Sequence, residues 1–242
     1  MKTFDAQGQS GAQVARVVSV LQGVTSSWLP ATFATSFGAE DMVLLDLIAR
    51  HAPKIEVFTL DTGRLPEETY RLMSVVRDRY PVRIGVFHPD ATPLETFIER
   101  NGPNAFYDSV AQRKECCQIR KVDPLRKALQ GKKAWLTGLR REQSATREAL
   151  EIESWDEAHG LQKFNPLLDW TTDDVWSYVR TEEVPYNELH DQGFPSIGCE
   201  PCTRAVPDGE DIRSGRWWWE GADSRECGLH TRSPGSKVID DD

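Results

Sequence analysis

Apolar and polar residues alternate along the chain in blocks that switch between the periods of strand and helix. Residues 31–37 (ATFATSF) read as a buried strand and Gly38 as a turn, and the apolar positions Met42, Val43, Leu44, Leu47 and Ile48 then recur at helical spacing. A second unit of the same kind follows. IEVFTL (55–60) is its strand, DTGRLPEE its loop and Glu67 to Tyr80 its helix, with Pro66 supplying a φ suited to a helix start. VRIGVF (82–87) and AWLTG (134–138) read as further strands, and ALEIE (149–153) alternates as an edge strand does. Strands alternating with helices predict an α/β fold with a mostly parallel sheet and a ligand at the carboxyl ends of the strands. The loops SFGAED, DTGRLPEE and TGLRREQSATR all fall at that edge. From about Pro185 the pattern dissolves into Gly, Pro and charge, which predicts a mobile C-terminal tail.

At 242 residues, 39% of them hydrophobic and 28% charged, the chain suits one α/β domain with an appended segment. Lys and Arg total 29 against 38 Asp and Glu, a net charge of -9 that disfavours whole-surface attraction to nucleic acid or acidic lipid. No apolar run approaches the roughly 18 to 20 residues needed to span a bilayer, and the N-terminal MKTFDAQGQS is polar. The expectation is therefore a cytoplasmic protein with neither a nucleic-acid nor a membrane partner.

The charge is unevenly distributed. Between Arg113 and Arg147 stand 11 basic and 3 acidic residues, a local net of +8 inside an acidic protein. A solvated helix face accounts for Arg126, Lys127, Lys132 and Lys133. The loop arginines Arg140, Arg141 and Arg147 are better anion-binding candidates, because guanidinium forks bind phosphate and sulfate bidentately.

Five cysteines fall into an adjacent pair, Cys116 and Cys117, a C-x-x-C pair, Cys199 and Cys202, and a lone Cys227. This is not the framework of a secreted disulfide protein. Four intracellular cysteines commonly bind zinc, but adjacent thiols fit a polynuclear iron–sulfur core more easily than a zinc knuckle. If CCQIRKVDPL is helical, Lys121 shares a face with Cys117 and offsets the charge of such a core. Cys227, in RECGLH, has Arg225, His230 and Arg232 nearby, and positive neighbours favour the nucleophilic thiolate. Trp217, Trp218 and Trp219 read as a hydrophobic clasp that holds the tail down.

These residues make the chain resemble the assimilatory sulfonucleotide reductases, specifically the iron–sulfur type that reduces adenosine 5'-phosphosulfate. The resemblance rests on SFGAED (36–41), LDTGRLPEETY (60–70), KECCQIRKVDPL (114–125), TGLRREQSATR (137–147), GFPSIGCEPCTRAV (193–206), GRWWWE (215–220) and ECGLH (226–230). It implies an adenine-nucleotide α-hydrolase-like (PP-loop type) sheet, with residues 1–205 binding nucleotide and cluster and 206–242 a mobile tail bearing the nucleophile. It further implies one [4Fe-4S] cluster on Cys116, Cys117, Cys199 and Cys202, and Cys227 as the nucleophile that takes the sulfonate from the substrate and is discharged by thioredoxin. Lys121, Arg147, Arg213 and Arg216 match the family's anion-binding residues, His230 stands beside the nucleophile, and Ser36, Gly38, Leu60 and Gly138 match positions lining the nucleotide. Taken singly, most of these have ordinary structural readings: a turn for Ser36 and Gly38, core for Leu60, a strand-end bend for Gly138. The first loop has Phe37 and Ala39 in place of the S-G-G-x-D-S form of ATP pyrophosphatases, which argues against ATP cleavage. Alternatives are reduction of the 3'-phosphorylated substrate, or of both, and a non-catalytic iron–sulfur redox sensor; a homo-oligomer is compatible with all of them.

Overall fold

The computed structural model describes residues 6–143, 150–207 and 209–221. In chain order the regular elements are α1 (Ala6–Ser27), β1 (Ala31–Thr35), α2 (Ala39–His51), β2 (Glu56–Leu60), α3 (Glu67–Arg79), β3 (Ile84–Phe87), α4 (Ala91–Asn101), α5 (Val110–Cys117), α6 (Asp123–Leu129), β4 (Ala134–Leu136), β5 (Glu153–Asp156), β6 (Leu161–Phe164) and α7 (Thr172–Thr181). Among the described residues one sheet runs β3-β2-β1-β4-β6-β5. Every pairing is parallel except β5 with β6. The order reverses between β1 and β4, so a topological switch point lies there, and ligands of open α/β sheets bind outside the carboxyl ends of strands at such a point.

Alternation within the strands builds two cores. Phe33, Val57, Ala134 and Leu136 pack on one face with Val17, Leu21 and Val24 of α1, most of α2, and Val175 and Val179 of α7. Phe58 and Trp135, each offset by one residue, pack on the other face with Leu125, Ala128 and Leu129 of α6. A period of two therefore presents apolar side chains to both faces, as a sheet covered on both sides requires. α2 is buried on nearly every side and includes Asp46, which is 0% exposed. That carboxylate accepts hydrogen bonds from the hydroxyls of Tyr80 (2.9 Å) and Tyr178 (2.7 Å) and pairs with Arg50, which offsets the cost of its burial.

The strand boundaries differ from the sequence pattern for local reasons. β1 stops at Thr35 because Phe37 takes a left-handed φ of 61°, with its N–H donated to Thr35 Oγ1. The edge strand expected at 149–153 is β5, displaced to Glu153–Asp156. Its register is set by pairing with β6 through a turn in which Gly160, at φ 68°, donates to the Asp156 carbonyl. β6 itself carries a buried lysine, Lys163, whose ammonium lies 4.7 Å from the Trp135 ring centroid, so its polar letters concealed a core strand. No helix among the described residues is long and apolar enough to cross a membrane.

Candidate active site

A cavity of about 250 Å³ opens beyond the carboxyl ends of β1, β2 and β4. Ser36 and Gly38 from the loop after β1, Leu60 at the end of β2, Gly138 after β4, Lys121, Arg213 and Arg216 all line it. Residues read separately along the sequence thus share one wall. Their framework is Asp41, in the first turn of α2. Asp41 Oδ2 accepts the Ser36 backbone N–H at 2.6 Å and the Ser36 hydroxyl at 2.7 Å, and the carboxylate also accepts the Gly138 N–H. Burial dominates these bonds and pushes the Asp41 pKa up to about 6. Next along α2, Glu40 is held by Arg140 and by the Gln143 amide, so the loops after β1 and β4 are laced together on both sides.

That lacing corrects one expectation. Arg140 is only 2% exposed and spends its guanidinium on Glu40, Glu142, Thr172 and the Trp170 carbonyl. Arg141 binds Asp169 and the Leu150 carbonyl. Both are structural cross-braces, not anion ligands. Elsewhere in the basic stretch Arg113 pairs with Glu220, Arg126 with Asp123, Lys127 with Asp90 and Lys132 with Glu56. Arg147, Cys227 and His230 lie outside the described residues.

The two cysteine pairs, more than 80 positions apart, meet beside this cavity. Cys116 and Cys117 end α5, and Cys199 and Cys202 bracket a tight 3-10 turn at Glu200–Cys202, tied down by the Glu200 N–H on the Arg64 carbonyl. None of the four is in a disulfide. The link between α5 and α6 is a π turn at Gln118–Val122, wider than an α-helical one. It brings Lys121 to the thiols and to the larger cavity at once. Burial pushes the Cys202 thiol up to about 12 and raises Cys116 too, while Lys121 and Arg216 act against burial at Cys202, and Arg120 and Arg64 at Cys116.

This cage fits a sulfur-rich polynuclear group. Its donors are four thiols, and deprotonated thiolates need a metal or cations to be stable when buried. Three buried N–H donors around the cage, Arg120 Nε, Trp217 Nε1 and Trp219 Nε1, have no partner among the described residues and call for acceptors such as the sulfurs of a cluster.

Residues 212–220, at the start of the segment expected to be mobile, pack onto this cage. Trp217 is 1% exposed among the cysteines, and the returning chain is held by the Arg204 N–H, which donates to the Gly215 carbonyl. Lys121, Cys199 and Trp217 line both the cavity and the cage, so the two are neighbours with a common wall. Sequence reasoning missed Arg113, Glu220 and the anchoring role of Asp41. Only SFGAED pointed toward Asp41, and nothing local links Arg113 to a carboxylate 107 positions away.

The phosphoadenosine phosphosulfate reductase domain family matches residues 30–205. The adenosine 5'-phosphosulfate reductase of Allochromatium vinosum is 51% identical over 218 residues, covering 90% of this chain and 85% of that one. That of Neisseria meningitidis serogroup B is 53% identical over 211 residues, covering 87% and 86%. Among solved structures, the phosphoadenylyl-sulfate reductase of Candida auris in its phosphate complex superposes with a TM-score of 0.69 at 27% identity, covering 85% of this chain and 98% of that one. A Candida glabrata FMN adenylyltransferase shares the fold with a TM-score of 0.61 at 16% identity, covering 98% and 80%. With the family matched over residues 30–205 and relatives about 50% identical over most of the chain, the chain belongs to the phosphoadenosine phosphosulfate reductase domain family.

Proposed function

We propose that the protein reduces adenosine 5'-phosphosulfate to sulfite and AMP with electrons from thioredoxin, in the cytoplasmic assimilation of sulfate toward cysteine. The observation that carries this reading is the common wall: a cavity at the nucleotide position of an α/β sheet, with Lys121, Arg213 and Arg216 lining it, set against a cage of four thiols. The names of relatives about 50% identical support the non-phosphorylated substrate over the 3'-phosphorylated one.

Ser36, Gly38, Leu60 and Gly138 hold the adenosine moiety, and Lys121, Arg213 and Arg216, joined by Arg147, offset the charge of the phosphosulfate. Cys116, Cys117, Cys199 and Cys202 hold one [4Fe-4S] cluster, which when bound ties α5 to the 199–202 turn and sets a negative charge behind those cations. The tail, 206–242, brings Cys227 to the cavity, with His230 beside it. The Cys227 thiolate attacks the sulfur, the bond from sulfur to the bridging oxygen breaks, and its electron pair leaves with AMP. An S-sulfocysteine remains. A thioredoxin thiolate then attacks the Cys227 sulfur and expels sulfite, and the second thioredoxin thiol resolves the mixed disulfide. Thioredoxin ends oxidised and Cys227 returns as a thiol.

The test is a split reaction. Without thioredoxin, the enzyme should release about one equivalent of AMP as a burst and carry a sulfonate on the peptide containing Cys227, because covalent catalysis separates the halves. Thioredoxin should then liberate sulfite. A sulfonate on another cysteine, or AMP release without any adduct, would refute the assignment. Faster turnover of the 3'-phosphorylated substrate would move the specificity to that compound, and failure to form sulfite from either would favour a sensor.

A further inference from the structure

Arg113 does not line the nucleotide cavity, yet its surroundings tie it to a residue that does. It lies in α5, one turn before Cys117, is 1% exposed, and its guanidinium donates to the Cys117 sulfur. The same guanidinium grips Glu220 through both carboxylate oxygens, Nε to Oε1 and Nη2 to Oε2, each at 2.8 Å. Glu220 is itself buried and closes a tight turn by donating its N–H to the Trp217 carbonyl at 2.9 Å. Within that turn Trp217 has φ 45°, a strained conformation for a bulky side chain that persists only where the surroundings impose it. The guanidinium carbons of Arg113 and Arg216 both lie over the Trp217 ring, each 4.8 Å from its centroid. Arg216 reaches the cavity from there, with Nε on the Cys202 carbonyl and Nη1 near Ser196, both at 3.4 Å.

We infer that Arg113 and Glu220 are positioning residues: their buried ion pair clamps the 217–220 turn onto the cysteine helix, holds Trp217 in its left-handed conformation, and thereby fixes Arg216 in the anion-binding wall of the cavity. A lone surface pair would contribute little. This one is desolvated, bidentate and continuous with an aromatic stack, so removing the Glu220 charge releases the turn that carries Arg216. The inference rests on the reading of the cavity as a nucleotide site.

The experiment measures AMP affinity by calorimetry on the anaerobically purified full chain, for the wild type, Glu220→Gln, Arg216→Ala and the double variant, with iron content and melting temperature recorded for each. Glu220→Gln should retain iron and weaken AMP binding about tenfold, the effect of one lost charge-assisted contact. In the Arg216→Ala background the same change should cost less than about twofold, because residues acting through one another are not additive. Should Glu220→Gln fail to fold, Glu220→Asp, which keeps the charge on a shorter arm, should give an intermediate loss. Wild-type affinity in Glu220→Gln or Glu220→Asp, or full additivity with Arg216→Ala, would overturn the positioning role. Absence of AMP binding by the wild type would instead remove the nucleotide-site reading, and this inference with it.

Discussion

Gly138, just past β4, lies so close to Asp41 that a Cβ built on it would overlap Asp41 Oδ1 and stand 3.3 Å from the Asp41 backbone nitrogen. The close approach allows the Gly138 N–H to reach the Asp41 carboxylate, which also anchors Ser36. Two loops from adjacent strands thus depend on one carboxylate and one missing methyl group. Gly138→Ala should force them apart and destabilise the fold by about 1 to 3 kcal/mol, the usual cost of overpacking. Substrate affinity should fall with it. Unchanged melting and KM would show that the loops yield freely.

Asp41 also makes a stability prediction. Burial raises its folded pKa from 3.8 to about 6, so its ionised form is the costly one. The contribution to stability is complete below pH 3.8, declines as pH rises and is gone above about pH 6. The span is worth about 3 kcal/mol. Thermal melts of Asp41→Asn across this window should lack the decline that Asp41 imposes on the wild type; parallel profiles would place the titration elsewhere.

Gly198 faces Arg216, and a Cβ there would fall 2.5 Å from the guanidinium carbon. Arg216 is braced by Trp217 and the Cys202 carbonyl and has little room to retreat except by leaving its site. Gly198→Ala should therefore raise KM for the sulfonucleotide about tenfold or more, the effect of losing a contact of about 1.5 to 3 kcal/mol. Iron content should be unaffected. A normal KM would mean that Arg216 is not a ligand.

Cys116→Ser and Cys199→Ser should each lose iron and its visible absorption and should lower the melting temperature, because α5 and the 199–202 turn then lose a tie that closes a long loop. Cys227→Ser should keep both iron and stability while losing turnover. Stoichiometric zinc in the anaerobically purified protein, without iron, would refute the cluster.

The sequence by itself determined the α/β class, the first two strand–loop–helix units and the grouping of the cysteines. Those features are written in local spacing, a period of two or of 3.6 and the distance between ligands. It placed β5 a few residues early and concealed β6, because register depends on a partner strand and the turn before it. Arg140 and Arg216 look alike along the chain, yet one is bound to Glu40, a hundred positions away, and the other lines the cavity. Only the tertiary structure decided between them. Whether a cation is buried against a carboxylate or placed along a cavity wall depends on which distant side chains folding brings within reach, and hydrophobic periodicity does not encode that.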